Sequence, residues 1–295
     1  MSGKIEIPEQ LKHELPQTTW GKILGVTPIV MTVIATMLAG LASSEMTKAQ
    51  YSRSLAAQLQ SKAGDQWSYY QAKKLRSAVA RNSLEVITAT SEVLPLEAVT
   101  LPKADDATMV ALLKNKVPEA TPAKFDDHVQ AALDLVENSR PETEIAAALS
   151  KVPPAMLASS LQSAQDAVLA FDNATKDVNK GVDKMEDALL GQNTSLFRSF
   201  AVARLRYTST RYDTESRLNM AVAGIYELQV RENGYLAEEH HARSGNFFFG
   251  MLAAQMAVIL STFALAARQR SFLWSVATAA GAAAVGFSVY VYLYV

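Results

Sequence analysis

Glu238, Glu239, His240 and His241 are the residues of this chain most nearly arranged for chemistry. A Glu-x-x-His step sets a carboxylate and an imidazole one turn apart on a helix, the spacing that di-iron bundles use. Such a site needs a second step and two more inward glutamates, and the sequence holds no second step. The residues then read as a solvated polar cap beside an apolar segment, with a lone metal site as the alternative. Arg198, Arg204, Arg206, Arg211 and Arg217, interleaved with Phe197, Phe200, Tyr207 and Tyr212, offer cations and rings that nucleic acid or acidic lipid could use. Acidic residues on a facing helix, Glu85 and Glu92 among them, are the more ordinary partners. No phosphate loop, nucleotide-binding glycine fingerprint or nucleophile motif is present. The expectation is a chain with no catalytic residue, no cofactor and no metal.

The third cluster is Gly64-Asp65-Gln66-Trp67-Ser68-Tyr69-Tyr70-Gln71-Ala72-Lys73-Lys74. On a helix, Trp67, Tyr70, Gln71 and Lys74 share one face, while Asp65, Tyr69 and Lys73 occupy a neighbouring one. Large rings beside amides and cations suit a packed, hydrogen-bonded contact with a returning helix or a second subunit. A ligand site is the competing reading.

The elements that must position these residues follow from hydropathy. Ile23 to Ala42, Phe247 to Ala267 and Phe272 to Val295 carry no charge, and each reaches the roughly 20 residues that a helix needs to cross a bilayer. The sequence therefore predicts an all-α membrane protein with three spans. The regions are a tail (1–22), the first span (23–42), a stalk helix (43–93), a small helical cap (94–191), a returning stalk helix (192–245) and a hairpin of two spans (246–295). The two long segments, tied to neighbouring spans, should lie antiparallel as a stalk outside the membrane. A signal peptide is the alternative for the first segment. Cleaved signals, however, have apolar cores of roughly 7–15 residues behind basic leaders, and this leader includes Glu6, Glu9 and Glu14.

Charge sets orientation and excludes some partners. Arg268 and Arg270 lie in the short turn between the last two spans, and two arginines in so short a loop favour the cytoplasm. That places the N-terminus, with Lys12 and Lys22, in the cytoplasm and the middle region in the periplasm of a bacterial inner membrane. Lys48, Arg53 and Arg243 on the opposite side weigh against it. Residues 43–245 carry 23 Lys and Arg against 26 Asp and Glu, a net of −3, which argues against a nucleic-acid surface. The chain has no cysteine, so neither disulfides nor thiolate metal sites arise.

Within the spans, Thr32, Thr36 and Gly40 form one small-residue stripe, and Ala277 with Gly281 and Ala282 with Gly286 form two more. Four-residue spacing of small side chains lets helices approach closely in lipid, within one chain or between copies. No span holds an ionisable residue, and Gln255 is the main polar interruption. Trp20, Tyr51, Trp274, Tyr290, Tyr292 and Tyr294 read as interfacial rings. In the middle, Lys116-Val117-Pro118-Glu119-Ala120 is echoed by Lys151-Val152-Pro153-Pro154-Ala155 at an offset of 35 residues. Each copy reads as a short helix, a proline turn and a longer helix, and a true repeat would imply a protein-binding surface.

Asp65, Gln66, Trp67, Tyr69, Tyr70, Gln71, Ala72 and Lys73 match a DQWxYYQAK-like signature. Here the chain resembles a family of prokaryotic membrane proteins, domain of unknown function 4337, over roughly residues 20–93 and 193–295. The resemblance implies one N-terminal span, a signature helix, a charged helical middle and a C-terminal hairpin with a basic turn like that from Arg268 to Trp274. The cap is longer than the family's usual middle, and the family supplies no activity. The leading functional expectation is a structural or interaction protein in the lipid bilayer, a homo-oligomer or an accessory subunit with membrane-protein partners. A channel or transporter component and a small-molecule sensor are the alternatives.

Overall fold

The computed structural model describes residues 19–96, 105–191, 193–266 and 272–294. Among these residues the chain is helical throughout, with seven helices and no strand. They are α1 (Thr19–Thr90), α2 (Asp106–Lys114), α3 (Asp127–Glu137), α4 (Glu142–Leu149), α5 (Pro154–Leu189), α6 (Thr194–Ala266) and α7 (Phe272–Tyr294). Three of them, α1, α6 and α7, are long and apolar enough to cross a membrane. Arg268 and Arg270, with Lys12, lie outside the described residues.

The chain divides into two compact units. One joins the described residues up to Ser54 with those from Asn233 onward. Its core gathers Ala35, Leu38 and Ala42 of α1, Phe247 and Ala254 of α6, and Ala284 and Val291 of α7. Most of these side chains are small because, between helices that meet in lipid, van der Waals contact at short range replaces the hydrophobic effect. Ala277 is fully buried, and a Cβ at Gly281 would meet Met31 Cε at 2.3 Å. This pair thus lies on the contacting face of α7. Ala282 and Gly286 lie on its exposed face, with open space around Gly286. On α1, Thr32, Thr36 and Gly40 are also exposed. The hydroxyls of Thr32 and Thr36 donate to the carbonyls of Pro28 and Thr32, four residues back. Pro28 sits inside α1 without ending it, as helices in lipid tolerate.

The other unit runs from Leu55 to Glu232. The longest helix in the expected cap region is α5, 36 residues that start at an N-terminal proline. Its apolar face packs along α6. Val178, Val182, Met185 and Leu189 meet Phe200, Ala203 and Tyr207, while Ala164 meets Ala63, Val222 and Tyr226. The short helix α2 closes one end of this core through Ala111 and Leu112. Asp105 caps it, its carboxylate accepting from the Thr108 backbone N–H and hydroxyl. The two echoed segments take different structures. Lys116–Ala120 falls in a non-helical connection, whereas Lys151–Ala155 leads directly into α5.

Between α1 and α6 the partners run in opposite order. Lys74 bonds Asp213, Ser77 bonds Ser209, and the Glu92 carbonyl just beyond α1 accepts from Arg198. Among the α1 residues turned inward, Ala63, Gln66, Tyr70, Lys73, Ser77, Ala80, Leu84 and Ile87, each buried or half-buried, follow one another at alternating steps of three and four. Leu75, Val79 and Val86, by contrast, are more than half exposed.

The tightest approach in this unit is at Gly181 of α5, where an added Cβ would lie 2.1 Å from Thr108 Oγ1. Gly181→Leu should displace Thr108 from its cap and cost about 1–3 kcal/mol. Thermal unfolding of the detergent-solubilised chain, followed by circular dichroism, checks this; an unchanged midpoint would show that α2 gives way freely.

Candidate functional site: an ion cluster beside an apolar cleft

Glu215 of α6 is 5% exposed, and a carboxylate so placed requires compensating charge. Lys73 of α1 supplies it at 2.5 Å, and Arg211, one turn back on α6, adds a second cation at 3.4 Å. Tyr212 offers its ring to the same group, with Arg211, Lys73 and Arg76 at 4.5, 5.4 and 5.7 Å from the centroid. Asp172 of α5 shares this field. Burial raises its pKa and the charge of Glu215 adds to the rise, while Lys73 and Arg211 offset part of it. Burial likewise pushes Tyr207 up to about 12, so its hydroxyl stays neutral and donates to Asn179 Oδ1 at 3.0 Å.

One turn further along α1 the contact becomes small and polar. Ser77 Oγ donates to the Ser209 carbonyl at 3.0 Å, and Arg81 Nε donates to Ser209 Oγ at 3.0 Å. Serines at both positions let the backbones approach while the hydroxyls stay satisfied. Lys74 reaches Asp213 at 3.1 Å.

Beside this cluster a cleft of about 520 Å³ opens between α1, α3, α5 and α6. Trp67 forms part of its wall with Phe125, Leu133, Val136, Leu218 and Met220, while Gln130, Glu137, Arg217 and Glu227 supply polar edges. Trp67 also stands edge-on to Tyr70, with centroids 5.6 Å apart and planes at 86°.

The signature is thus divided by burial. Gln66, Trp67, Tyr70 and Lys73 turn inward, whereas Asp65, Tyr69 and Gln71 are exposed. Of the face expected from spacing, Trp67 and Tyr70 are half-buried and Gln71 is exposed, while Lys74, itself exposed, still reaches Asp213 of α6. The arginines of α6 reach the expected Glu92 through its carbonyl in place of its carboxylate, and acids on α5 and on α6 itself. Arg204 pairs with Glu186 of α5, Arg211 pairs with Glu215, Arg198 meets the Glu92 carbonyl and Arg217 edges the cleft.

In the other unit, His240 and its neighbours join helices. Glu45 of α1 is 9% exposed, with His240 Nδ1 at 2.7 Å and Lys48 Nζ at 2.6 Å. Next to it Ser244 Oγ donates to the Ala42 carbonyl at 2.7 Å, and Glu239 pairs with Arg243. Among the described residues no group of three or more His, Asp or Glu is placed to hold a metal. Burial would raise the Glu45 pKa, but the hydrogen bonds with Lys48 and His240 outweigh it and hold the carboxyl below its usual range.

Two outcomes test these contacts. Lys73→Met should cost about 2 kcal/mol, less than a fully enclosed pair because Lys73 is partly exposed, and Lys73→Met with Glu215→Gln should cost less than the sum of the single changes. Strict additivity in thermal or chemical unfolding would exclude the pair as an energetic unit. For Glu45 the folded pKa is depressed, so its contribution is present above the unfolded-state value and is lost as pH falls through the folded one. Glu45→Gln should therefore lower stability at neutral pH and flatten the loss of stability on the acid side; equal shifts across pH 3–7 would contradict this.

No curated protein and no solved structure matches this chain. The family match starts at residue 20, where the resemblance begins, but continues past residue 93 as far as Leu149 and does not take in residues 193–295. The signature from Asp65 to Lys73 falls inside residues 20–149, the stretch that the model of the family described as Domain of unknown function (DUF4337) matches, which supports assignment of the chain to this family.

Proposed function

We propose that this protein is a non-catalytic, membrane-anchored interaction protein, a homo-oligomer or an accessory subunit of a larger membrane assembly. The observation that carries this reading is the use made of the signature. Lys73 joins α1 to a buried carboxylate on α6 and Trp67 walls a helix junction, so both stabilise a scaffold. In this reading α1 and α6 lie antiparallel as a stalk outside the bilayer, supported by the opposite order of their pairings. The short helices and α5 form the cap. The arginine turn directs the N-terminus to the cytoplasm and the middle region to the periplasm of a bacterial inner membrane.

The cleft at Trp67 favours a second reading, a small-molecule sensor, because its volume and mostly apolar walls suit a drug-sized ligand. In that case a ligand screen should raise the unfolding midpoint of the native chain and not that of Trp67→Ala.

Native mass of the protein extracted in mild detergent tests the leading reading. A homo-oligomer or a stoichiometric membrane partner is expected, and a monomer with no partner overturns it. Since the chain has no cysteine, Ser61→Cys and Thr88→Cys in intact spheroplasts test the orientation. Both should react with a membrane-impermeant maleimide, and labelling only after lysis would reverse the topology.

A further inference from the structure

The outward face of α1 carries a second seam. Ala72, Leu75, Val79, Asn82, Val86 and Ala89 follow one another at steps of three, four, three, four and three. All six are exposed, with Leu75 at 66%, Val79 at 57% and Val86 at 53%. The seam that faces α6, through Lys73, Ser77, Ala80, Leu84 and Ile87, is on the opposite side of the same helix. The internal packing of this unit therefore leaves the 72–89 seam unused. The exposed seam is also the more apolar, the reverse of what a helix with only one buried face presents.

We propose that this seam is covered by the same seam of a second copy, as a parallel two-stranded coiled coil. Three features favour a second copy. With Ala72 at position a, the a positions hold Ala72, Val79 and Val86 and the d positions Leu75, Asn82 and Ala89. Val79 and Val86 at a with Leu75 at d follow the combination that suits two parallel strands, while Asn82 and Ala89 hold the other d positions. Asn82 is the one polar side chain in the seam. An amide both donates and accepts, so at this d position it is satisfied by the equivalent amide across a two-fold axis, a pairing that a slip in register would break. Two copies inserted alike in one bilayer are related by an axis normal to it, which keeps equivalent helices parallel.

The seam is short. Asp65 and Ser68 end its apolar character on one side and α1 ends at Thr90 on the other, leaving about 27 Å at 1.5 Å per residue. In free solution so few turns would pair weakly. Anchorage in one membrane makes the pairing effectively intramolecular, which raises the local concentration toward the millimolar range.

The inference names the contact within the oligomeric reading above, and the absence of native cysteine makes it directly testable. Leu75→Cys, Val79→Cys and Val86→Cys, each alone in the full-length protein in native membranes, should form a disulfide-linked dimer under mild oxidant, because equal positions meet across the axis. Thr88→Cys, exposed but off the seam, serves as control, and each seam variant should give at least about tenfold more dimer than it does. Seam variants that give no more dimer than Thr88→Cys overturn the proposal, even where the native mass shows an oligomer, which would then use another face. Cross-linking only when two different seam positions are mixed would mean antiparallel pairing and overturns it equally. A cross-link to a different protein in place of a dimer rules out the second copy as occupant. Val79→Asp with Val86→Asp should lower the oligomeric mass in detergent while leaving the helical content unchanged.

Discussion

A carboxylate enclosed by three helices organises the unit between Leu55 and Glu232. Glu215 can stay charged at 5% exposure only while cations stand against it. One comes from α1 and one from its own helix, so neutralisation and helix docking are a single event. Asp172 carries the cost of the arrangement, its own ionisation suppressed by burial and by the neighbouring charge. The ring of Tyr212, lying against three cations, spreads positive charge that one carboxylate cannot balance. Elsewhere in this unit α5 meets α6 through apolar side chains. The polar contact with α1 therefore specifies a partner and a register more than it adds buried area.

The unit near the membrane reaches the same end by other means. There small residues make many of the contacts, with a polar junction at Glu45 and His240 beside Ser244 and the Ala42 carbonyl. Small faces supply proximity without direction, and a charged hydrogen bond supplies direction.

What the sequence disclosed and what it withheld follow from the range of each signal. The spans were legible because an uncharged run of this length has one common explanation, and the long helices because nothing in residues 43–93 except Gly64 interrupts them. Lys73 and Trp67 stood out by residue type. Their partners did not, since Glu215 is one acid among many and its pairing with Lys73 spans more than a hundred residues of chain. His240 stood out by residue type as well, but its pairing with Glu45 was hidden for the same reason. Leu75, Val79 and Val86 recur at helical spacing, but periodicity does not say which of two opposite faces meets the rest of the chain. Here the more polar face does, because α6 presents carboxylates and serines to it. For α5, Gly181 and the many polar residues masked a long helix whose buried face is narrow.

The α1 contact also bears on synthesis. Its partners on α6 follow by 128 residues or more, Ser77 and Ser209 being 132 apart, whereas α5 and α6 are joined by a connection of a few residues. During translation α1 is therefore complete long before its docking surface exists, while α5 and α6 can close on each other as soon as both have emerged. A waiting surface of leucines would invite misassembly. A docking face that carries Gln66, Lys73 and Ser77 beside Leu84 and Ile87 costs less to leave in water until Glu215 arrives than one made of leucines alone.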